Sequence, residues 1–169
     1  MGRPEPTSFA NVGPDNTATG YLGGLALSGP LGLWDAGLGG GLAESNALLV
    51  GARDIDPPER DLIDAGRVRL IAVGSDMAGH LRSEIAGRPV YLHIDCDVLE
   101  PGTVPTDYSV PAGMTLTQLE ACIRSLGDSE IVGLEVGELE THDADSPDAH
   151  RPARRIVDAL EPLLKRLAP

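Results

Sequence analysis

Val90-Tyr91-Leu92-His93-Ile94-Asp95-Cys96-Asp97-Val98-Leu99-Glu100-Pro101 reads as a β-strand that runs into a pair of carboxylates. Val90 to Asp95 carries the β-branched and aromatic residues that fill a pleated, half-buried surface. Asp95 and Asp97 are two apart on what reads as an extended segment. Both side chains then point to one side, roughly 7 Å apart along the strand. Like charges at the end of a buried strand repel unless a cation lies between them. Oxygen donors of this kind suit a divalent ion such as Mg²⁺ or Mn²⁺. On spacing alone, the pair reads equally as two turn-capping aspartates leading into Pro101-Gly102.

Outward from this strand, the chain alternates between strand and helix. Ala47–Gly51 reads as a short buried strand, followed by a helix over Pro57–Ala65 that Gly66 closes. Arg67–Val73 is a second strand, and Ser75 is the expected cap of a helix running to Ile85. Thr115 and Gln118 spell a capping box for a helix over Leu116–Leu126. Ile131–Val136 is a fourth strand, and Pro152–Leu167 an amphipathic helix. Four strands separated by helices predict an α/β fold, a parallel sheet flanked by helices. Ligands gather outside the carboxyl ends of such strands, where Asp54, Asp95 and Glu138 fall. Upstream, Tyr21–Trp34 reads as a helix interrupted by glycines and Pro30. The glycine run at 37–41 matches no phosphate-binding fingerprint, and residues 1–19 read as a loose tail before a domain over 20–169.

Composition narrows the classes. A chain of 169 residues fits one domain, and with only 3% aromatics its core must rest on Leu, Val, Ile and Ala. A net charge of −13 argues against nucleic acid and anionic membrane as partners and suits a cationic ligand or divalent metal. No apolar run reaches the ~18 residues that span a bilayer, and Met1–Asn16 lacks a signal-peptide pattern, so a cytoplasmic protein is expected. Cys96 and Cys122 fall in a predicted strand and helix and read as reduced core residues.

Taken with Pro105 and Val110-Pro111-Ala112-Gly113-Met114-Thr115, the aspartate stretch resembles the signature of the arginase-family ureohydrolases. There a strand ends Ser-x-Asp-x-Asp-x-x-Asp-Pro, and the following loop closes on Pro-Gly-Gly-Leu-Thr. His93 stands here for the Ser, Glu100 for the last Asp and Ala112 for a Gly. Val50-Gly51-Ala52-Arg53-Asp54-Ile55-Asp56-Pro57-Pro58-Glu59 is similar to a second family element, and Gly133-Leu134-Glu135-Val136-Gly137-Glu138-Leu139 to its last core strand. The resemblance covers about residues 15–168. It implies an arginase-like three-layer sandwich, incomplete at its N-terminal side, and manganese-dependent hydrolysis of a guanidino C–N bond with two Mn²⁺ per site.

By the same resemblance, Asp95 and Asp97 are metal ligands, Glu138 grips the guanidinium, and Asp54, Asp56 and Glu59 recognise the tail of a small guanidino substrate. A homo-oligomer is expected. Asp56, Pro57 and Glu59 also make a good helix start, so capping competes with recognition there.

The family draws its remaining ligands from Gly-Gly-Asp-His and Asp-Ala-His-x-Asp elements, and the chain contains neither. Pro14–Leu22 resembles the segment after the second element. Extending that alignment upstream places its ligand positions on Pro6, Ser8 and Ala10, and the proton-shuttling histidine on Gly23. No catalytic residue is therefore assigned, and weak or no activity is expected of the chain alone. Without the preceding strands, a core strand becomes an exposed edge.

Three alternatives stay open. One is a non-catalytic metal-binding or assembly subunit of the same fold. Another is a single-metal His93-x-Asp95-x-Asp97 ladder, against His93 as a hydrogen-bonded core residue. The third is a haloacid-dehalogenase-type phosphatase, which Val98-Leu99 after the second aspartate does not fit.

Overall fold

The alternation of strand and helix is present from Leu48 onward in the computed structural model, which describes residues 26–37, 39–140, 145 and 148–167. The expected tail over 1–19, the first residues of the expected Tyr21–Trp34 helix, and His142 lie outside these. The elements are β1 (Leu48–Val50), α1 (Pro57–Asp64), β2 (Arg69–Ile71), α2 (Met77–Ile85), β3 (Val90–Asp95), α3 (Leu116–Ser125), β4 (Ile131–Gly137) and α4 (Arg151–Leu167). Among the described residues no helix is long and apolar enough to cross a membrane.

The strands pair as two ladders, β1 with β2 and β3 with β4, and no ladder joins the two pairs among the described residues. One four-stranded sheet was the expectation. β2 is also shorter than its apolar run, for a local reason. The amides of Arg67 and Val68 are spent on the carbonyl of Leu62 at 2.9 and 3.3 Å, closing the end of α1 instead of entering a ladder. β3 and β4 run parallel, with Tyr91 opposite Gly133, His93 opposite Glu135 and Asp95 opposite Gly137.

The described residues divide into two compact units: those up to Leu49 with Asp54–Leu70, and Val50–Arg53 with those from Ile71 on. In the first, Leu31, Ala47, Leu62 and Val68 are buried, with Leu27, Leu33, Trp34 and Leu49 packed against them. The helix expected through Trp34 does not form over its described residues. Turns replace it, with Gly32 at φ 70° donating to the carbonyl of Gly29 at 2.8 Å. A left-handed glycine ends any helical run at that point.

In the second unit, α3 packs against α2 and α4. Ile156, Ala159, Leu160 and Leu163 of α4 are buried at helical spacing, as are Leu119, Cys122 and Ile123 of α3. Each fully buried Leu or Ile stabilises the fold by roughly 1.5–3 kcal/mol. Thr115 and Gln118 form the capping box read from the sequence, the Thr115 hydroxyl accepting from Gln118 N at 3.1 Å. Asp76, not Ser75, precedes α2, and its side chain makes no cap. At the far end of α4, Arg166 donates to the carbonyls of Leu126 and Ser129 at 3.0 and 2.5 Å. That bond set ties α4 to the turn that follows α3.

Candidate metal and substrate site

β3 delivers Asp95 at its carboxyl end, and the chain then leaves the extended conformation. Cys96–Val98 forms a 3-10 turn, so Asp97 does not continue the ladder. The expectation of two aspartates on one extended segment is corrected here. The turn forms because Cys96 and Leu99 are driven inward, to 1% and 2% exposure, which a straight strand cannot do for both together with Ile94. Cys96 is buried as expected, but in this turn.

The loop after the turn is held from several sides. Glu100 N donates to Met114 O at 2.8 Å and Met114 N to Val98 O at 2.9 Å, bracketing a parallel bridge between Leu99 and Met114. The Glu100 carboxylate accepts from Gly113 N at 2.6 Å. Glu100 thus fills a loop-closing role, with one more methylene than an aspartate would have. A Cβ on Gly113 would overlap the carbonyl group of Leu99, so only glycine admits this closure. Ala112, where the resemblance expects a glycine, takes φ 63° and carries the cost of a left-handed non-glycine residue.

Arg53, which has no assigned role in the sequence pattern, bonds to the same turn. Nη1 donates to Gly51 O and Val98 O at 3.1 and 2.7 Å, and Nη2 to Asp97 O and Val110 O at 2.9 and 2.8 Å. Its only sequence signal was its place in the Gly-x-Arg-Asp element.

Asp95, Asp97 and Glu138 form one electrostatic cluster at the carboxyl ends of β3 and β4. Burial raises Asp95 above its ordinary value, and the charges of Asp97 and Glu138 add to this. The Asp97 N–H and, more weakly, His93 oppose it. Burial and then Glu138 raise Asp97, while Arg53 and a hydrogen bond with Asp95 pull it down. The Cys96 thiol is pushed up to about 11 by burial and the same carboxylates. Glu138 itself sits at φ 52°, a strained turn just beyond β4.

These residues fit one side of a divalent-cation site. They offer hard oxygen donors whose mutual repulsion a cation would relieve, and Asp95 Oδ1 is buried with no hydrogen-bond partner. They do not complete such a site. Among the described residues no three His, Cys, Asp or Glu side chains group so as to hold a metal ion.

Asp54, Asp56 and Glu59 lie in the other compact unit. Asp56 is the N-cap of α1, and its N–H donates to Glu59 Oε2 at 3.1 Å in a capping box. Burial raises Glu59, its bond to the Asp56 N–H opposes this, and the charges of Asp56 and Asp54 add to the rise. Local capping therefore accounts for Asp56 and Glu59 at least in part.

His93 is half exposed, not a core residue, with Nδ1 3.3 Å from Glu135 Oε2. Tyr91, two residues earlier on the same face, reaches that carboxylate oxygen with its hydroxyl at 3.3 Å and is 63% exposed. Cys96 and Cys122 are both free and buried.

Known proteins resemble the chain along most of its length. The sequence model of the Arginase family matches residues 25–160. The N(omega)-hydroxy-L-arginine amidinohydrolase of Streptomyces lavendulae is 45% identical over 149 residues, covering 88% of this chain and 54% of that protein. An agmatinase of Chromobacterium violaceum is 42% identical over 60 residues, 35% of this chain and 19% of its own length. The arginase of Entamoeba histolytica, crystallised with L-ornithine, superposes with a TM-score of 0.73 at 17% identity, over 88% of this chain and 55% of that one. That likeness establishes the α/β fold. The chain spans about half the length of the relatives matched over most of its residues.

Proposed function

The chain belongs to the arginase family, and from that premise we propose that it carries one half of a manganese-dependent ureohydrolase site. Asp95 and Asp97 are the proposed metal ligands. Glu138 is the proposed anchor for a guanidinium, which a carboxylate holds through paired hydrogen bonds. Asp54, Asp56 and Glu59 are proposed to select the tail of a small guanidino substrate. The reaction is hydrolysis of a guanidino C–N bond, urea-releasing in the arginase case. When bound, a manganese pair supplies Lewis-acid activation of water for attack on the guanidino carbon.

The observation that carries this reading is the buried, unpartnered Asp95 Oδ1, which feels the charges of Asp97 and Glu138. An oxygen so placed is costly unless something binds it. Residues 20–169 are the proposed arginase-like domain, in a cytoplasmic homo-oligomer.

Activity of this chain alone is proposed to be weak or nil. Its sequence lacks both histidine-bearing elements that the resemblance assigns to the metals. Release of urea from arginine or agmatine, or of hydroxyurea from N-hydroxyarginine, with Mn²⁺ supplied, is expected below roughly 0.1 s⁻¹. A turnover near the ordinary enzyme value of about 10 s⁻¹ would overturn that expectation.

A second reading, a non-catalytic metal-binding or assembly subunit, is favoured by the lack of a three-ligand group among the described residues. Manganese binding without urea release supports it.

A further inference from the structure

We propose that Arg53 is a positioning residue for the acidic turn: its guanidinium, sealed among backbone carbonyls, sets where the Asp97 carboxylate stands. The inference rests on the reading of Asp97 as a metal ligand, though the brace is defined by hydrogen bonds alone.

The two terminal nitrogens of Arg53 each donate to two carbonyls, at distances from 2.7 to 3.1 Å. With four N–H groups and four acceptors, neither nitrogen has a donor left for a substrate. The fifth donor, Nε, is buried without a hydrogen-bond partner.

The acceptors mark three separated places: Gly51 just after β1, Asp97 and Val98 in the turn, and Val110 near the far end of the loop. One planar group therefore fixes the turn against both the strand end and the returning loop. Gly51 admits this approach. At φ 79° it suits glycine, and a Cβ there would press on Met114 Sδ and Val98 Cγ2 at 3.0 Å.

The charge matters as well as the shape. Carbonyl oxygens of Asp97 and Val98 face a cation within 2.9 Å, so the turn that carries an anionic side chain is held by positive charge from its backbone side. Lysine cannot reproduce this, because an ammonium is a compact point charge with three donors and no fork.

The test is Arg53→Lys in the full chain, read by amide hydrogen exchange and by Mn²⁺ titration calorimetry. Exchange is expected to speed up about tenfold or more over Cys96–Leu99 and Val110–Met114, with α4 unchanged. The Mn²⁺ Kd is expected to rise about tenfold. Unchanged exchange in both stretches overturns the brace. Faster exchange with an unchanged Kd overturns the positioning claim.

If the unaltered chain binds no Mn²⁺ while exchange responds as expected, the metal reading fails and the brace stands. Should Arg53→Lys lose its helical signal, Arg53→Ala supplemented with millimolar guanidinium takes its place. Recovery of slow exchange over the two stretches supports the brace, and no recovery overturns it.

Discussion

The acidic turn after β3 and the acidic start of α1 have similar sequences, Asp-Cys-Asp and Asp-Ile-Asp, yet different things hold them. At Asp56 the chain is shaped by its neighbours, through a capping box that spans three residues. At Asp97 it is shaped from afar, by a guanidinium 44 residues away and by a loop that returns at Gly113 and Met114. Local closure makes an acidic residue a cap. Beside the distantly closed turn, one carboxylate oxygen, Asp95 Oδ1, is buried without a hydrogen-bond partner, and that combination suits a ligand site.

The contrast breaks most readily at Gly113. Gly113→Ala forces a Cβ into the Leu99 carbonyl, and a loss of about 3 kcal/mol or more in a chemical denaturation curve is expected. Glu100→Ala removes the acceptor of the Gly113 amide and should cost about 1.5–3 kcal/mol, the range for a bond to a charged group. On the local side, Asp56→Ala should cost only about 1 kcal/mol, as for an ordinary N-cap. A loss at Asp56 as large as that at Gly113 would erase the distinction. Ala112→Gly sharpens it in the other direction. Relieving a left-handed alanine should raise stability by about 1 kcal/mol, read as a melting shift of about 2–4 °C.

The acidic turn also sets a pH dependence. Asp95 and Asp97 titrate above the ordinary carboxylate range when folded and within it when unfolded. Between those limits the folded chain binds more protons, so the metal-free protein loses stability as pH rises through that window. Asp95→Asn should flatten this slope in melting curves taken across mildly acidic pH. An unchanged slope would place the linkage elsewhere.

What the sequence disclosed follows the same division. Helix α3 and its capping box, the limits of β3, and the cap of α1 were all legible, because each depends on residues three or four apart or on strand alternation. The 3-10 turn at Cys96–Val98 was not. It requires the burial of Cys96 and Leu99 and the carbonyl bonds to Arg53, which no local pattern contains. The two separate ladders were hidden for a related reason, since alternation of strand and helix fixes element type and leaves strand order open. The turns before Trp34 escaped because an apolar run with glycines satisfies helical spacing until Gly32 turns left-handed. Of the three carboxylates read at strand ends, Asp95 and Glu138 fall in one compact unit and Asp54 in the other, whereas Arg53 carried only its place in a motif.

The central claim is that the distantly braced turn, and not the locally capped one, is built to hold a divalent cation. Mn²⁺ titration calorimetry of the full chain and of the Asp95→Ala/Asp97→Ala double variant tests it most directly. Binding heat in the unaltered chain that disappears in the double variant is the predicted result. No binding at all, or binding that persists undiminished in the variant, would contradict it.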